Sequence, residues 1–353
     1  MDLLSVIIPV HNGEKYIKKT VAQILKQSYK HIELILVENF SKDRSLKICQ
    51  ELAVHDDRIR VFTCTEPGTS MARKRGILEA RGKYIVFSDQ DDSYINEYAL
   101  EKMHAAITED QSQICQFGYY KVYPFGIRKR EKKNCARMLI KKEAFMNSYI
   151  TGLTGGKNKA YTTNVWSKIY DADLLKETVS NIDLELYYAE DQYLNLKTLL
   201  NEKLSVISIR DEAYYVWDTR RGFSSNVDNA LVLFDEYQFV KALSIEILDR
   251  YNCAEELYFH CHCETLYFLK TIVEDLIRRG HPKSEILEVI TMLSVYDHVI
   301  MAKRYISGLD KKYTWEELDF LVSDYTSEEY YIWCLAHKSK DSFIKKLYIS
   351  LLK

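Results

Sequence analysis

The chain has 353 residues, of which 47% are hydrophobic and 28% charged, a balance that supplies a globular core and excludes a disordered or fibrous chain. Its 49 basic and 51 acidic residues leave a formal net charge of -2, so no global positive field exists to hold a nucleic-acid backbone. No run of about 18 apolar residues occurs, which excludes a transmembrane helix. Eight scattered cysteines fit reduced thiols in a cytosol better than a disulfide framework.

Met1–Pro9 has no basic leader and reads as a strand, so a cytoplasmic location is expected. Leu4–Ile8 is a short apolar run, and Glu14–Gln27 then places Ile17, Val21, Ile24 and Leu25 at helical spacing. Glu33–Val37, Ile59–Thr63 and Tyr84–Ser88 read as further strands, with Asp43–Leu52 and Ser70–Ala80 as the helices between them. This alternation predicts an α/β fold with a mostly parallel sheet and helices on both faces. Ligands of such sheets bind beyond the carboxyl ends of the strands. The loops Pro9–Gly13, Glu38–Asp43, Thr65–Thr69 and Asp89–Ser93 are therefore where chemistry is expected.

Gln113–Tyr123 alternates like a strand, and a basic stretch from Arg128 to Lys142 reads as a solvated hairpin. Gly152, Gly155 and Gly156 mark a flexible loop, and Ser205–Ile209 and Ala213–Trp217 are strand-like. After about Asn226 only helices are predicted: Ala230–Arg250, Ala254–Arg279, Lys283–Leu293, Trp315–Asp324 and Ser342–Leu352. Two domains follow, 1–226 and an all-α 227–353. In the second, His260-Cys261-His262-Cys263 suggests zinc, but residues two apart on a helix diverge and no second spaced pair completes a set. Tyr258, Phe259, Tyr267 and Phe268 recur at helical spacing and read as packing or a homo-oligomer face. The basic, apolar end Lys345–Lys353 reads first as packing, with peripheral contact to the inner face of a membrane as the alternative.

The most informative segment is Lys83–Asp92, an apolar strand running into Asp89, Asp91 and Asp92 with Gln90 among them. Clustered carboxylates raise one another's pKa unless a cation is present, and an all-oxygen set suits Mg²⁺ or Mn²⁺. The alternative is an acidic turn before the helix that begins near Asn96.

That segment follows Ser5–Glu14, the strand ending Val37-Glu38-Asn39, and Pro67–Ile77; it precedes Asn164–Tyr170, Tyr188–Asp191 and Tyr214-Tyr215 with Arg220–Ser225. In order and spacing the series resembles the family 2 glycosyltransferases of the GT-A fold, over residues 3 to about 226. The resemblance implies that Asp89 contacts the donor ribose and that Asp91, with Asp89 beside it, holds the metal on the diphosphate. Gln90 lies in the same donor loop, and Arg73 is expected near the diphosphate, against a reading of it as one surface cation beside Lys74 and Arg75. The nucleotide is expected over Pro9, His11 and Glu14 of the first loop and Glu38 and Asn39 of the second. His11 would stack on the base, and the Asn39 carbonyl would accept from uracil N3–H, which favours uridine. Phe40 stands where the family usually carries glycine and would crowd or stack on the base.

The resemblance further implies that Asp191 is the catalytic base, with Glu190 raising its pKa; an acid pair on a helix N-terminus is the plainer alternative. Trp166 and Lys168 would line the acceptor side or serve the core, and Arg221 would reach the diphosphate from a closing loop. The function implied is inverting, metal-dependent transfer of a hexose or N-acetylhexosamine from a UDP-sugar to a glycan, glycolipid or glycoprotein hydroxyl. A catalytically inactive GT-A scaffold or binding module is the alternative.

Overall fold

The computed structural model describes residues 1–122, 128–131, 137–148, 161–182, 186, 189–218, 230–252, 255–308, 321 and 323–338. By contacts the described residues divide into two units, one within residues 1–223 and one within 224–353.

In the first unit, β1 (Leu4–Val10) and β2 (Ile32–Glu38) are apolar runs buried almost end to end, as central strands covered on both faces must be. They pair in parallel with each other, β1 with β4 (Tyr84–Phe87), and β2 with β3 (Ile59–Thr63). The sheet runs β3-β2-β1-β4-β9-β6-β10-β5, with β7 on β6 and β8 on β10. Here β5 is Ser93–Tyr94, β6 Ile114–Val122, β7 Arg128–Glu131, β8 Arg137–Lys141, β9 Lys168–Asp171 and β10 Val206–Asp218. β9 enters antiparallel between β4 and β6, while β6 and β10 are parallel.

Register decides where the loops emerge. Val10 lies beside Glu38, and Ile7 beside Phe87, so the loops after β1, β2 and β4 leave one edge together. Helix α1 (Ile17–Leu25) buries Ile17, Thr20, Val21 and Ile24 against this sheet, as its spacing predicted. Two more helices, α2 (Ser45–His55) and α3 (Thr69–Glu79), complete the first three crossovers. The α3 helix lies so close to β1 that a Cβ on Gly76 would stand 2.4 Å from Ile7 Cγ2. Arg73, one turn earlier on the same helix, is thereby carried into the interior with Ala72, Gly76 and Ile77.

Several elements differ from expectation. The basic stretch is not a hairpin: β7 pairs with β6 and β8 with β10, so each basic strand extends a different neighbour. The two short strands expected over 205–217 form one strand, β10, whose register shifts between Ile209 and Ala213, a bulge that accommodates Arg210-Asp211-Glu212. Arg210 there makes a bidentate pair with Asp110 (2.7 and 2.8 Å) at the end of α4 (Ala99–Asp110). Next come α5 (Lys142–Ser148), α6 (Ala172–Ser180) and α7 (Glu190–Leu200). The glycines at 152, 155 and 156 lie outside the described residues.

The second unit contains α8 (Ala230–Arg250), α9 (Glu255–Arg279), α10 (Lys283–Ser294), α11 (Asp297–Ser307) and α12 (Ser327–Lys338). Its core includes Phe234, Leu269, Ile290 and Trp333, and Cys261 and Cys263 pack into it. Burial pushes the adjacent His262 down to about 4. Buried Lys241 pairs with the half-buried Glu264, whose carboxylate also accepts from Tyr237 Oη (2.9 Å). The helix expected over 342–352 and the basic end lie outside the described residues, as does most of the one expected over 315–324. Among the described residues no helix is long and apolar enough to cross a membrane.

Candidate active site

The first two loops lock into one another. His11 Nδ1 lies 2.6 Å from the Asn39 carbonyl and Nε2 lies 2.8 Å from Asn12 Nδ2. With the Asn12 amide donating to Nε2, Nδ1–H donates to Asn39, so both ring nitrogens hold the imidazole in place. Glu38 Oε1 accepts from Ser41 N–H (2.6 Å), and Asn39 Oδ1 accepts from Gly68 N–H (3.1 Å). Glu38 and Asn39 are both buried. Glu14 joins the same network through Arg44 N–H (3.1 Å).

Gln90 ties the acidic loop to this pair. Its Oε1 accepts from His11 N–H (3.0 Å) and its Nε2 donates to the His11 carbonyl (2.8 Å), so both ends of the amide hold the residue two places after Pro9. The fit requires a glycine at 13, where a Cβ would stand 2.1 Å from Gln90 Oε1. Gly13→Ala is expected to weaken UDP binding about tenfold or more, by displacing Gln90 and with it the His11 backbone; titration calorimetry checks it.

The second half of the site is built on one cation. Arg73 is 5% exposed. Its Nη1 meets Glu190 Oε1 at 2.8 Å and Asp191 Oδ1 at 2.7 Å, and its Nη2 meets Asp89 Oδ1 at 3.3 Å. Burial opposes its charge, but Asp191, Glu190 and Asp89 outweigh burial and hold it protonated. Arg73 is therefore no surface cation, and the structure joins Asp89, after β4, to Glu190 and Asp191, at the start of α7. Three carboxylates still exceed one guanidinium. Burial, with the neighbouring Asp191 and Asp91 carboxylates, pushes Asp89 up to about 6 against the pull of Arg73. Burial and Asp191 likewise push Glu190 up to about 7.

Asp191 is also oriented, since its Oδ2 accepts from Val165 N–H at 3.0 Å. Asn195, one turn along α7 and fully buried, donates to the carbonyls of Asp191 (2.8 Å) and Thr163 (2.7 Å). Its Oδ1 accepts from Tyr161 and Tyr170 (3.1 and 3.2 Å). Asn195 was not singled out in the sequence; its signal is an amide on the inward face of a helix otherwise buried with Leu194, Leu196 and Leu199.

Asp92 faces the other way. It is buried and pushed well above the usual carboxylate range by burial and by Asp89. Tyr215 Oη donates to Asp92 Oδ2 and accepts from Asp89 N–H, both at 2.9 Å, and Asp218 N–H donates to Asp92 Oδ1 (3.0 Å). It thus braces the acidic loop against β10. Asp91 lines a cavity of about 180 Å³ with Lys19, Thr20, Asp92 and Asp218. The donors in this loop are all carboxylate oxygens, which suits a hard divalent ion. Among the described residues no three His, Cys, Asp or Glu side chains converge as a ready-made cage, so an ion held here would need ligand oxygens too.

Trp166 is 7% exposed and stacks on Tyr215 with ring centroids 4.9 Å apart. Lys168 is fully buried, donating to the carbonyls of Thr162 (2.9 Å) and Asn164. Both serve the core beneath the site. Arg221 and Tyr188 lie outside the described residues.

The carboxyl edge of the parallel strands β1, β2 and β4 gathers these acidic, oriented side chains, at the place where α/β sheets bind their ligands. Residues 5–167 match glycosyl transferase family 2, a family of sugar-transferring enzymes. The chain is 29% identical to glycosyltransferase GlyA of Streptococcus pneumoniae over 235 residues, 64% of this chain and 32% of GlyA. It is 25% identical to glycosyltransferase EpsJ of Bacillus subtilis over 86% of this chain and 87% of EpsJ. It is 29% identical to the poly(ribitol-phosphate) beta-N-acetylglucosaminyltransferase TarS of Staphylococcus aureus over 70% of this chain and 41% of TarS. The matched stretch thus spans about a third of GlyA and two fifths of TarS. The crystal structure of TarS residues 1–349 with UDP-GlcNAc shares the fold, with a TM-score of 0.57 at 20% identity over 86% of this chain and 88% of that one.

Proposed function

We propose that this chain transfers a hexose or N-acetylhexosamine from a UDP-sugar to a hydroxyl of a glycan, glycolipid or glycoprotein, with inversion. The observation that carries this is Arg73, which joins the donor-side Asp89 to the base-side Glu190 and Asp191 in one buried cluster. Inversion needs one carboxylate to take the acceptor proton as the hydroxyl attacks, and Asp191, held by Val165 N–H, is positioned for that task. Glu190 and Arg73 set its surroundings. His11, Glu14, Glu38 and Asn39 cradle the nucleotide beyond Pro9, Gln90 fixes the His11 backbone, and a role for Arg221 at the diphosphate rests on its place in the sequence alone.

Asp91, with Asp89, would hold Mn²⁺ or Mg²⁺. Such an ion, when bound, neutralises charge developing on the leaving diphosphate. GlyA, EpsJ and TarS all carry glycosyltransferase names and TarS has been crystallised with UDP-GlcNAc, which supports a UDP-sugar over other donors. We read residues 1–226 as the catalytic domain and 227–353 as a helical accessory domain that positions acceptor, membrane surface or a second copy. A cytoplasmic site of action is read from the eight scattered cysteines, whose spacing fits reduced thiols. An inactive scaffold would have no use for two sets of carboxylates joined through one arginine.

Calorimetric titration with UDP and GDP, in Mn²⁺ and in chelator, tests the reading. Metal-dependent UDP binding by the wild type, weakened at least tenfold by Asp91→Ala, is expected. Absence of binding to either nucleotide would sink the enzyme reading.

A further inference from the structure

Six described non-glycine residues have positive φ: Asn12, Phe40, Gln111, Ser167, Ala189 and Asn252. Five of them are small or polar, of the kinds that tolerate the left-handed region or gain a local hydrogen bond there. Phe40, at φ 53°, is large and apolar, and a bulky residue in this region is a true outlier. The residue is also 49% exposed. Neither backbone preference nor core burial therefore accounts for a phenylalanine here, and strain of this kind collects at ligand sites.

The surroundings hold Phe40 in place. Glu38 caps Ser41 N–H (2.6 Å), Ser41 Oγ accepts from Asn12 N–H (3.1 Å), and Asn12 Oδ1 accepts from Lys42 N–H (2.8 Å). On the other side Asn39 N–H donates to the Val10 carbonyl (2.8 Å). The loops after β1 and β2 are thus stitched together around residue 40. Since Val10 and Glu38 are paired, His11 and Phe40 follow adjacent strand ends and put two aromatic rings on one edge. Glu38 and Asn39, immediately before Phe40, are buried and brace the loop, Glu38 through Ser41 N–H and Asn39 through Gly68 N–H (3.1 Å).

We propose that Phe40 is a nucleobase-stacking residue that sets the donor affinity of this chain, an inference that rests on the nucleotide-sugar reading above. The ligand class is the planar base of the donor nucleotide. Base–aromatic stacking depends on a π-face, and Phe40 offers one beside the edge where the loops after β1 and β2 meet.

The test compares wild type with Phe40→Gly, Phe40→Leu and Phe40→Trp, by UDP calorimetry and thermal melting. Glycine adopts φ 53° without strain, so Phe40→Gly is expected to melt no lower than wild type while binding UDP about tenfold more weakly. Phe40→Leu is expected to be weakened as well, and Phe40→Trp to stay within about twofold of wild type. UDP affinity unchanged in Phe40→Gly overturns the assignment, as does a loss in Phe40→Trp equal to that in Phe40→Gly. A changed acceptor KM at unchanged UDP affinity also overturns it, assigning the ring to the acceptor instead. Failure of the wild type to bind UDP would strike the donor reading itself, so the two failures are distinguishable.

Discussion

Asp191→Asn is expected to lower kcat by about 10² to 10⁴, the range that general-base catalysis supplies, while leaving UDP affinity within about twofold. Asparagine keeps the shape of the side chain and an oxygen for Val165 N–H, now at 3.0 Å from Asp191 Oδ2. It cannot take a proton. The competing account, in which Asp191 merely complements the dipole of α7, makes a quantitatively different forecast. A charge at a helix N-terminus contributes about 0.3–1 kcal/mol of stability, so that account requires a small drop in melting temperature and an unchanged turnover. Steady-state transfer rates, together with UDP calorimetry on the same samples, separate the two. A variant that keeps more than a tenth of wild-type kcat would remove Asp191 from the chemistry.

How much of this was readable follows from which residues burial makes conspicuous. The strands β1, β2 and β4 lie inside the sheet, buried on both sides, so they appear in the sequence as apolar runs, and the carboxylates after β4 stand out against them. Arg73 does not stand out. It sits between Ala72 and Lys74 on a helix with no strong apolar face, and its burial depends on the approach of Gly76 to Ile7 and on Glu190, 117 positions away. A cation whose partners are that distant resembles any surface cation. Gln90 presents the same difficulty in smaller form, because its role is set by the backbone of His11, 79 positions earlier.

The basic strands β7 and β8 misled for a related reason. Strands at the margins of a sheet need no apolar alternation, and their pairing with β6 and β10 is fixed by partners far along the chain. Lys168 carries the lesson furthest. A lysine in the interior is improbable from composition alone, yet the carbonyls of Thr162 and Asn164 and the face of Tyr161, 4.7 Å from the ammonium, give it the partners that burial demands.

Arg73→Met is expected to destabilise the fold by about 3–5 kcal/mol at pH 8, the loss that follows when one side of a buried ion pair is removed and charges are left uncompensated. Here the uncompensated charges are three, since Asp89, Glu190 and Asp191 all face the guanidinium. The pH dependence has a definite sign. Asp89 and Glu190 already titrate above their ordinary values, near 6 and 7, so the folded state holds their protons more tightly than the unfolded one. Such groups favour folding below their unfolded pKa and lose that contribution as pH rises through the folded pKa. Without Arg73 both folded values move higher still, and the deficit of the variant therefore grows from pH 5 to pH 8 and shrinks toward acid. Urea unfolding of wild type and variant across that range measures it. Arg73→Lys keeps the charge but loses the fork that spans three carboxylates, so it is expected to recover part of the stability and little of the transfer activity. Equal stability of Arg73→Met and wild type at both ends of the range would mean that the carboxylates are solvated in the free protein, and that Asp191 does not owe its setting to this arginine.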